Sequence, residues 1–286
     1  MAGLGGSGDG GFHRVTAARE SMLPTFIGIG AQRAGTTWAY NCLAQHPDVY
    51  MSGKKELHFF YAHYSRGLAW YASQFAAAGD AVARGEISPD YMYNREALAN
   101  IARDLPGVRV FAILRNPIDR AISAYALRQE RNEGVSFGEA CRRFPALINR
   151  GLYCGHLDVI EEYFPAERVK VLLYDDLVAR PGAFLDELFG FIGVHQGVRP
   201  AAMGTRYNRV IYPGLQKALL GARLGWIIDA VKRSPVGRWV RQRNTAARRG
   251  SGIATESDLE YLRTAFADDV RELSRRLGRD LGGWLH

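Results

Sequence analysis

The residues best equipped for chemistry lie in Thr25-Phe-Ile-Gly-Ile-Gly-Ala-Gln-Arg-Ala-Gly-Thr-Thr-Trp38. A short apolar run, Phe26 to Ile29, enters a glycine-bearing turn and then a helical pattern. In that layout backbone N–H groups cradle a phosphate at a helix N-terminus. Gly30 and Gly35 keep the GxxxxG spacing of an ATPase loop, but Thr36 stands where such a loop carries Lys. The basic residue is Arg33, ahead of the second glycine. A phosphate-holding loop of Arg33, Ala34, Gly35, Thr36 and Thr37 is expected, but not that of an ordinary nucleotide triphosphatase.

A second cluster is Arg109-Val-Phe-Ala-Ile-Leu-Arg-Asn-Pro-Ile-Asp-Arg-Ala-Ile-Ser-Ala-Tyr125. Val110 to Leu114 reads as a buried parallel strand, apolar without alternation. A Walker-type strand ends in Asp to hold Mg²⁺; this one ends in Arg115, which repels a metal and attracts an anion. Pro117 suits the first turn of a helix, and Ser123 follows on its second turn. Arg115 and Ser123 are expected to grip one additional phosphate by charge-assisted hydrogen bonds.

These two segments resemble the paired cofactor motifs of sulfotransferases that use 3′-phosphoadenosine 5′-phosphosulfate (PAPS). Lys55-Glu-Leu-His-Phe-Phe60, Gly67-Leu-Ala-Trp-Tyr71 and Glu86-Ile-Ser-Pro-Asp-Tyr91 are similar to the heparan-sulfate sulfotransferase branch and its bacterial relatives. Gly151-Leu-Tyr-Cys-Gly-His-Leu157, Val169-Lys-Val-Leu-Leu-Tyr-Asp-Asp-Leu177 and Leu277-Gly-Arg-Asp-Leu-Gly-Gly-Trp284 continue in the same order. The resemblance is good over residues 24–195 and weak from there to about 255.

The resemblance implies PAPS as co-substrate, no metal, and transfer to a hydroxyl, or less readily an amine, of a carbohydrate, glycolipid or glycosylated metabolite. It implies Glu56 as general base, with His58 in reserve because an imidazole titrates near neutrality; on its own, His58 reads as packed with Phe59 and Phe60. It places Trp38 beside the nucleotide and Lys55, Ser88 and Tyr91 toward the acceptor. Arg248-Arg249-Gly250 is the nearest match to the basic loop that closes over the nucleotide in that family. Many members carry Lys where this chain has Arg33, which binds phosphate but cannot donate a proton to a leaving group. Two other classes stay open: an ATP-dependent kinase, with Tyr174-Asp175-Asp176 supplying a metal carboxylate, and a non-catalytic peripheral membrane or adaptor protein.

The elements that must position these residues alternate. Strands are expected at 25–30, 49–51, 82–87, 109–114 and 168–173. Helices are expected at 35–45, 66–77, 94–104, 117–130, 136–148, 153–163 and 181–192. Such alternation predicts an α/β fold: a P-loop-type parallel sheet flanked by helices on both faces, with a helical C-terminal extension. Ligands of these sheets bind at the carboxyl ends of the strands, and Arg33, Glu56, Ser88 and Arg115 all follow strand ends.

With 286 residues, the chain can bury a large core. Residues 1–22, Gly/Ser-rich at the start, read as a disordered tail with no apolar signal region, ahead of a single domain over 23–286. The expected location is cytoplasmic: Cys42, Cys141 and Cys154 are odd in number and lack metal spacing. Net charge is +8, and residues 209–249 alone hold ten basic residues against Asp229. Within a helical cap expected near 200–250, Leu215, Leu219, Ala222 and Trp226 recur at helical spacing. A basic amphipathic helix suits an anionic membrane surface, a polyanionic ligand or plain solvation. Nucleic acid is not expected, since no nucleic-acid module accompanies the charge.

Overall fold

The computed structural model describes residues 22–129, 134–205 and 253–286. Two compact units emerge, Met1–Asn116 with Tyr153–Thr205, and Pro117–Leu152 with Arg206–His286. Arg248, Arg249, Gly250 and the basic segment 209–249 lie outside the described residues, as do residues 1–21 of the expected tail.

The first unit holds β1 (Phe26–Gly30), α1 (Thr36–Leu43), β2 (Val49–Met51), α2 (Phe59–Ala62), α3 (Gly67–Ser73), β3 (Ala83–Ile87), α4 (Arg95–Asp104) and β4 (Arg109–Leu114). After α5 (Pro117–Gln129), α6 (Phe137–Arg143) and α7 (Ala146–Asn149) of the second unit, the chain returns with α8 (Tyr153–Tyr163), β5 (Val169–Leu173), α9 (Tyr174–Ala179) and α10 (Pro181–Ile192). In the second unit α11 (Glu256–Leu277) is followed by a 3₁₀ turn over Gly282–Leu285. Among the described residues no helix is long and apolar enough to cross a membrane.

All five strands run parallel in the order β2-β3-β1-β4-β5. The central β1, FIGIG, is buried at every position, as a strand covered on both faces must be. Its glycine at 28 admits the neighbouring strands. A Cβ there would stand 2.8 Å from both Ile87 Cγ1 on β3 and Phe111 Cζ on β4.

Local signals fix the flanking helices. The Asn94 side chain caps α4 by accepting from the Ala97 N–H at 3.0 Å. Pro181 opens α10, and Gly193 closes it at φ 83°. In the second unit, Thr255 and Asp258 form a reciprocal capping box at the start of α11. That helix buries Leu262, Phe266, Val270 and Leu273. The helix expected over 136–148 is two short ones, because Pro145 lacks the N–H that a continuous helix would need. The sequence reading did not anticipate α9, which starts where β5 ends.

Gly28→Ala places a methyl group between Ile87 and Phe111, so overpacking should lower stability by about 1–3 kcal/mol. The expected result is an earlier urea midpoint with an unchanged m value. An unaltered midpoint would show that β3 and β4 give way without cost.

Candidate active site

The turn after β1 is built around two left-handed residues. Arg33 has φ 68° and Gly35 φ 91°. A side chain at 35 would be strained by that φ and would also meet Leu177 Cδ1 at 3.0 Å and the Tyr174 ring at 3.1 Å. Gly35 is the N-cap of α1, whose first-turn N–H groups have no partner within the helix. Ala34 is wholly buried beneath the turn, and Thr36 is 5% exposed. The near side of the loop is tied down at Gln32, whose N–H donates to the Tyr93 hydroxyl at 3.2 Å and whose side-chain amide donates to Asp90 at 2.8 Å.

Arg115 braces the same turn. Its Nη1 donates to the Arg33 carbonyl at 3.1 Å, and its guanidinium lies 4.8 Å from the centre of the Tyr174 ring. The Tyr153 hydroxyl donates to the Arg115 carbonyl at 2.7 Å. Two guanidinium-bearing residues and the N-terminus of α1 thus meet at the ends of the adjacent strands β1 and β4. This set fits a phosphate-bearing ligand: the cations supply charge, the helix start supplies N–H donors, and Gly35 lets backbone approach closely. Ser123, expected as the partner of Arg115, is a buried position on α5 of the second unit. Trp38, expected beside the nucleotide, is 7% exposed. Its indole N–H donates to the Met203 carbonyl and its ring meets Phe184 edge-on, so the side chain serves packing.

On the other side of β1, the loop 55–58 is laid along the end of β3. Glu56 (φ 64°) and His58 (φ 51°) are both left-handed. The Glu56 N–H donates to the Ile87 carbonyl at 3.1 Å, the Leu57 N–H to the Glu86 side chain, and the His58 N–H to Ser88 Oγ at 3.3 Å. The Glu56 carboxylate is 43% exposed, in contact with Lys55 Nζ, and 3.7 Å from His58 Nε2. The Tyr61 hydroxyl lies 2.9 Å from His58 Nδ1. His58 therefore does not join Phe59 and Phe60, which are fully buried; it faces Glu56 and Tyr61.

Beneath this loop sits a group whose role the sequence reading missed. Glu86 is wholly buried. Its Oε1 accepts from the hydroxyls of Tyr71 and Tyr91 at 2.9 Å each, and its Oε2 from Ser88 at 2.7 Å. Ser88 and Tyr91, expected to face the acceptor, are themselves at 0% exposure. They turn inward because a buried carboxylate must be hydrogen-bonded. The available signal was an acid within a five-residue strand that is buried on either side. Tyr174 and Tyr153 were also missed as supports of the phosphate loop. Asp176, considered as a metal carboxylate, is paired with Arg180 at 3.0 Å.

Burial pushes the Glu86 carboxyl above its ordinary value of 4.5, while Ser88, Tyr91, Tyr71 and the Leu57 N–H oppose the rise. The folded protein then holds this proton more tightly than the unfolded chain does. The contribution of Glu86 to stability is full below 4.5 and is lost as pH rises through the folded value. Glu86→Gln cannot titrate, so its stability relative to wild type should improve as pH rises from about 4.5, then level off. Denaturant titrations at several pH values check this; a pH-independent difference would refute the raised value.

Comparison with known proteins agrees with this geometry. The sulfotransferase domain profile matches residues 23–203. Human heparan sulfate glucosamine 3-O-sulfotransferase 6 is 31% identical over 210 residues, covering 70% of this chain and 61% of the relative. Human heparan sulfate glucosamine 3-O-sulfotransferase 3B1 is 30% identical over 185 residues, 61% of this chain and 47% of the relative. The chain thus spans less than two thirds of the length of these curated relatives. A crystal structure of a sulfotransferase from Alicyclobacillus acidocaldarius has the same fold, with a TM-score of 0.68 at 24% identity over 92% of this chain and 99% of the other. With the profile covering the whole five-stranded sheet, both candidate loops and the strand ends that carry them, the chain belongs to the sulfotransferase family.

Proposed function

We propose that this chain transfers a sulfuryl group from PAPS to a hydroxyl of a carbohydrate, whether a free glycan, a glycolipid or a glycosylated metabolite. The observation that carries the reading is that two arginines at a glycine turn and a solvent-accessible carboxylate lie at the ends of neighbouring strands. β3 and β4 flank β1; Arg33 and Arg115 follow β1 and β4, and Glu56 is fastened to the end of β3. Relatives named for 3-O-sulfation of glucosamine support a sugar hydroxyl, and one named as an N-deacetylase/N-sulfotransferase keeps an amine as the second choice.

The donor supplies an activated sulfuryl group whose leaving group is adenosine 3′,5′-bisphosphate. Glu56 takes the proton of the acceptor hydroxyl as its oxygen bonds to sulfur. Arg33, with the N–H groups of Gly35 to Thr37, stabilises the negative charge that develops as the bond from sulfur to the 5′-phosphate oxygen breaks. Arg33 keeps its charge throughout and acts by electrostatics alone. Arg115 holds the 3′-phosphate, and Lys55 orients Glu56 and meets the acceptor. Most of the rate enhancement then comes from positioning and charge stabilisation.

Two measurements test the donor and the base separately. Calorimetry should show adenosine 3′,5′-bisphosphate binding far more tightly than AMP without Mg²⁺, and Arg115→Ala should weaken the bisphosphate by about 1.5–3 kcal/mol. Equal binding of the two nucleotides would end the PAPS assignment. With labelled sulfate on PAPS and a panel of glycans and glycolipids, Glu56→Gln should lose about 10²–10⁴-fold in turnover while binding the bisphosphate normally. Near-normal turnover in that variant would move the base to His58. Arg33→Ala should lose both binding and turnover, since it touches the donor in ground and transition states alike.

A further inference from the structure

The geometry points to Glu86 as the positioning residue of the catalytic loop: a buried carboxylate that holds residues 56–58 in the shape, left-handed at Glu56 and His58, that presents those two side chains. The inference rests on the reading of Glu56 as the base.

Three successive loop N–H groups end on β3 or the two residues around its end. Glu56 N–H reaches the Ile87 carbonyl, Leu57 N–H the Glu86 carboxylate, and His58 N–H the Ser88 hydroxyl. Ser88 then passes its own proton donation to Glu86 Oε2. Each contact fixes one peptide plane, so φ at Glu56 and His58 is decided from below. Left-handed backbone is disfavoured for Glu and His by the clash of Cβ with the neighbouring peptide. Such a conformation persists only where its surroundings over-determine it. Here the carboxylate takes the Leu57 N–H directly and the His58 N–H through Ser88.

The rest of the Glu86 shell is made to keep that anion in place. Tyr71 and Tyr91 are buried, and the titration of both phenols is pushed well above the ordinary value, first by burial and then by the Glu86 charge. They stay protonated and donate. Phe60 packs edge-on against both rings, with centroids at 5.0 and 5.7 Å. Phe59 stacks on Tyr71 at 4.5 Å. Because Phe59 and Phe60 directly follow His58, the aromatic cage pins the far end of the loop as Glu86 pins its middle. Glu86 touches neither donor nor acceptor in this scheme; it acts through Ser88 and the loop backbone.

Ser88→Ala is the decisive variant, because it cuts the link from Glu86 to His58 N–H and leaves the Tyr71, Tyr91 and Leu57 contacts intact. Turnover should fall about ten- to a hundredfold, as expected for an ångström-scale misplacement of a base, with bisphosphate affinity within about twofold of wild type. Amide exchange at His58 should speed up. In a Glu56→Gln background Ser88→Ala should add almost nothing, because the group being positioned is gone. A merely structural role predicts the same fold-loss in both backgrounds, and that result overturns the proposal. So does an unchanged His58 exchange rate, or full activity of Ser88→Ala in an otherwise active enzyme. Wild-type protein inactive with PAPS and every acceptor would instead refute the proposed function, while amide exchange at Leu57 and His58 in Glu86→Gln still decides whether the loop depends on that carboxylate.

Discussion

Removing a carboxylate from water costs several kcal/mol unless donors replace its hydration. Glu86 meets that condition with three hydroxyls and one backbone N–H. The requirement propagates outward. Tyr71 belongs to α3, Tyr91 opens a short 3₁₀ turn after β3, and Leu57 lies in the loop that follows β2. One group in the middle layer of the sheet thereby fixes how three otherwise separate stretches of chain meet. Loop 55–58 is the stretch that carries the accessible carboxylate.

The donor side obeys a different constraint, that of space. Gly35 is hemmed in by Tyr174 and Leu177 from α9, so the turn cannot relax toward the helix axis. Arg115 closes the remaining freedom by holding the Arg33 carbonyl. A turn braced from outside this way is already shaped before any ligand arrives, which reduces the ordering entropy that ligand contacts must offset. The two halves of the site use opposite means, a crowded glycine on one side and a buried charge on the other.

Much of this was legible in the residues. The strands at 49–51 and 109–114 and the helices at 153–163 and 181–192 have the expected bounds, because apolar runs and terminal Pro and Gly mark them. The tight turn after β1 was legible because glycine spacing is a backbone signal. Ser88 and Tyr91 were misread because a parallel strand is covered on both faces, and its pattern does not say which way a polar residue turns. The split at Pro145 was visible but was overridden by helical periodicity on either side. Trp38 was placed by likeness to its family, whereas its indole answers to Met203 and Phe184. Tyr174 was read only as a neighbour of Asp175, since nothing in a linear sequence reports that a ring lies under Arg115.

The sheet order has a consequence for how the molecule is made. β1 leaves the ribosome before the other strands, yet its neighbours are β3, ending at Ile87, and β4, ending at Leu114. Its own first follower, β2, pairs with β3 instead. At about 5–20 residues per second, this wholly buried strand waits roughly 4–17 s between its own synthesis and that of its second partner. Both of its edges are open to other chains until β3 is made, and the β4 edge stays open for the rest of that time, the condition under which nascent parallel sheets aggregate. Contacts between strands so distant in sequence also make for slow closure once the chain is complete. The arrangement that gathers the loops after β1, β3 and β4 at one end of the sheet therefore makes the nascent chain a natural client for chaperones that shield apolar strands.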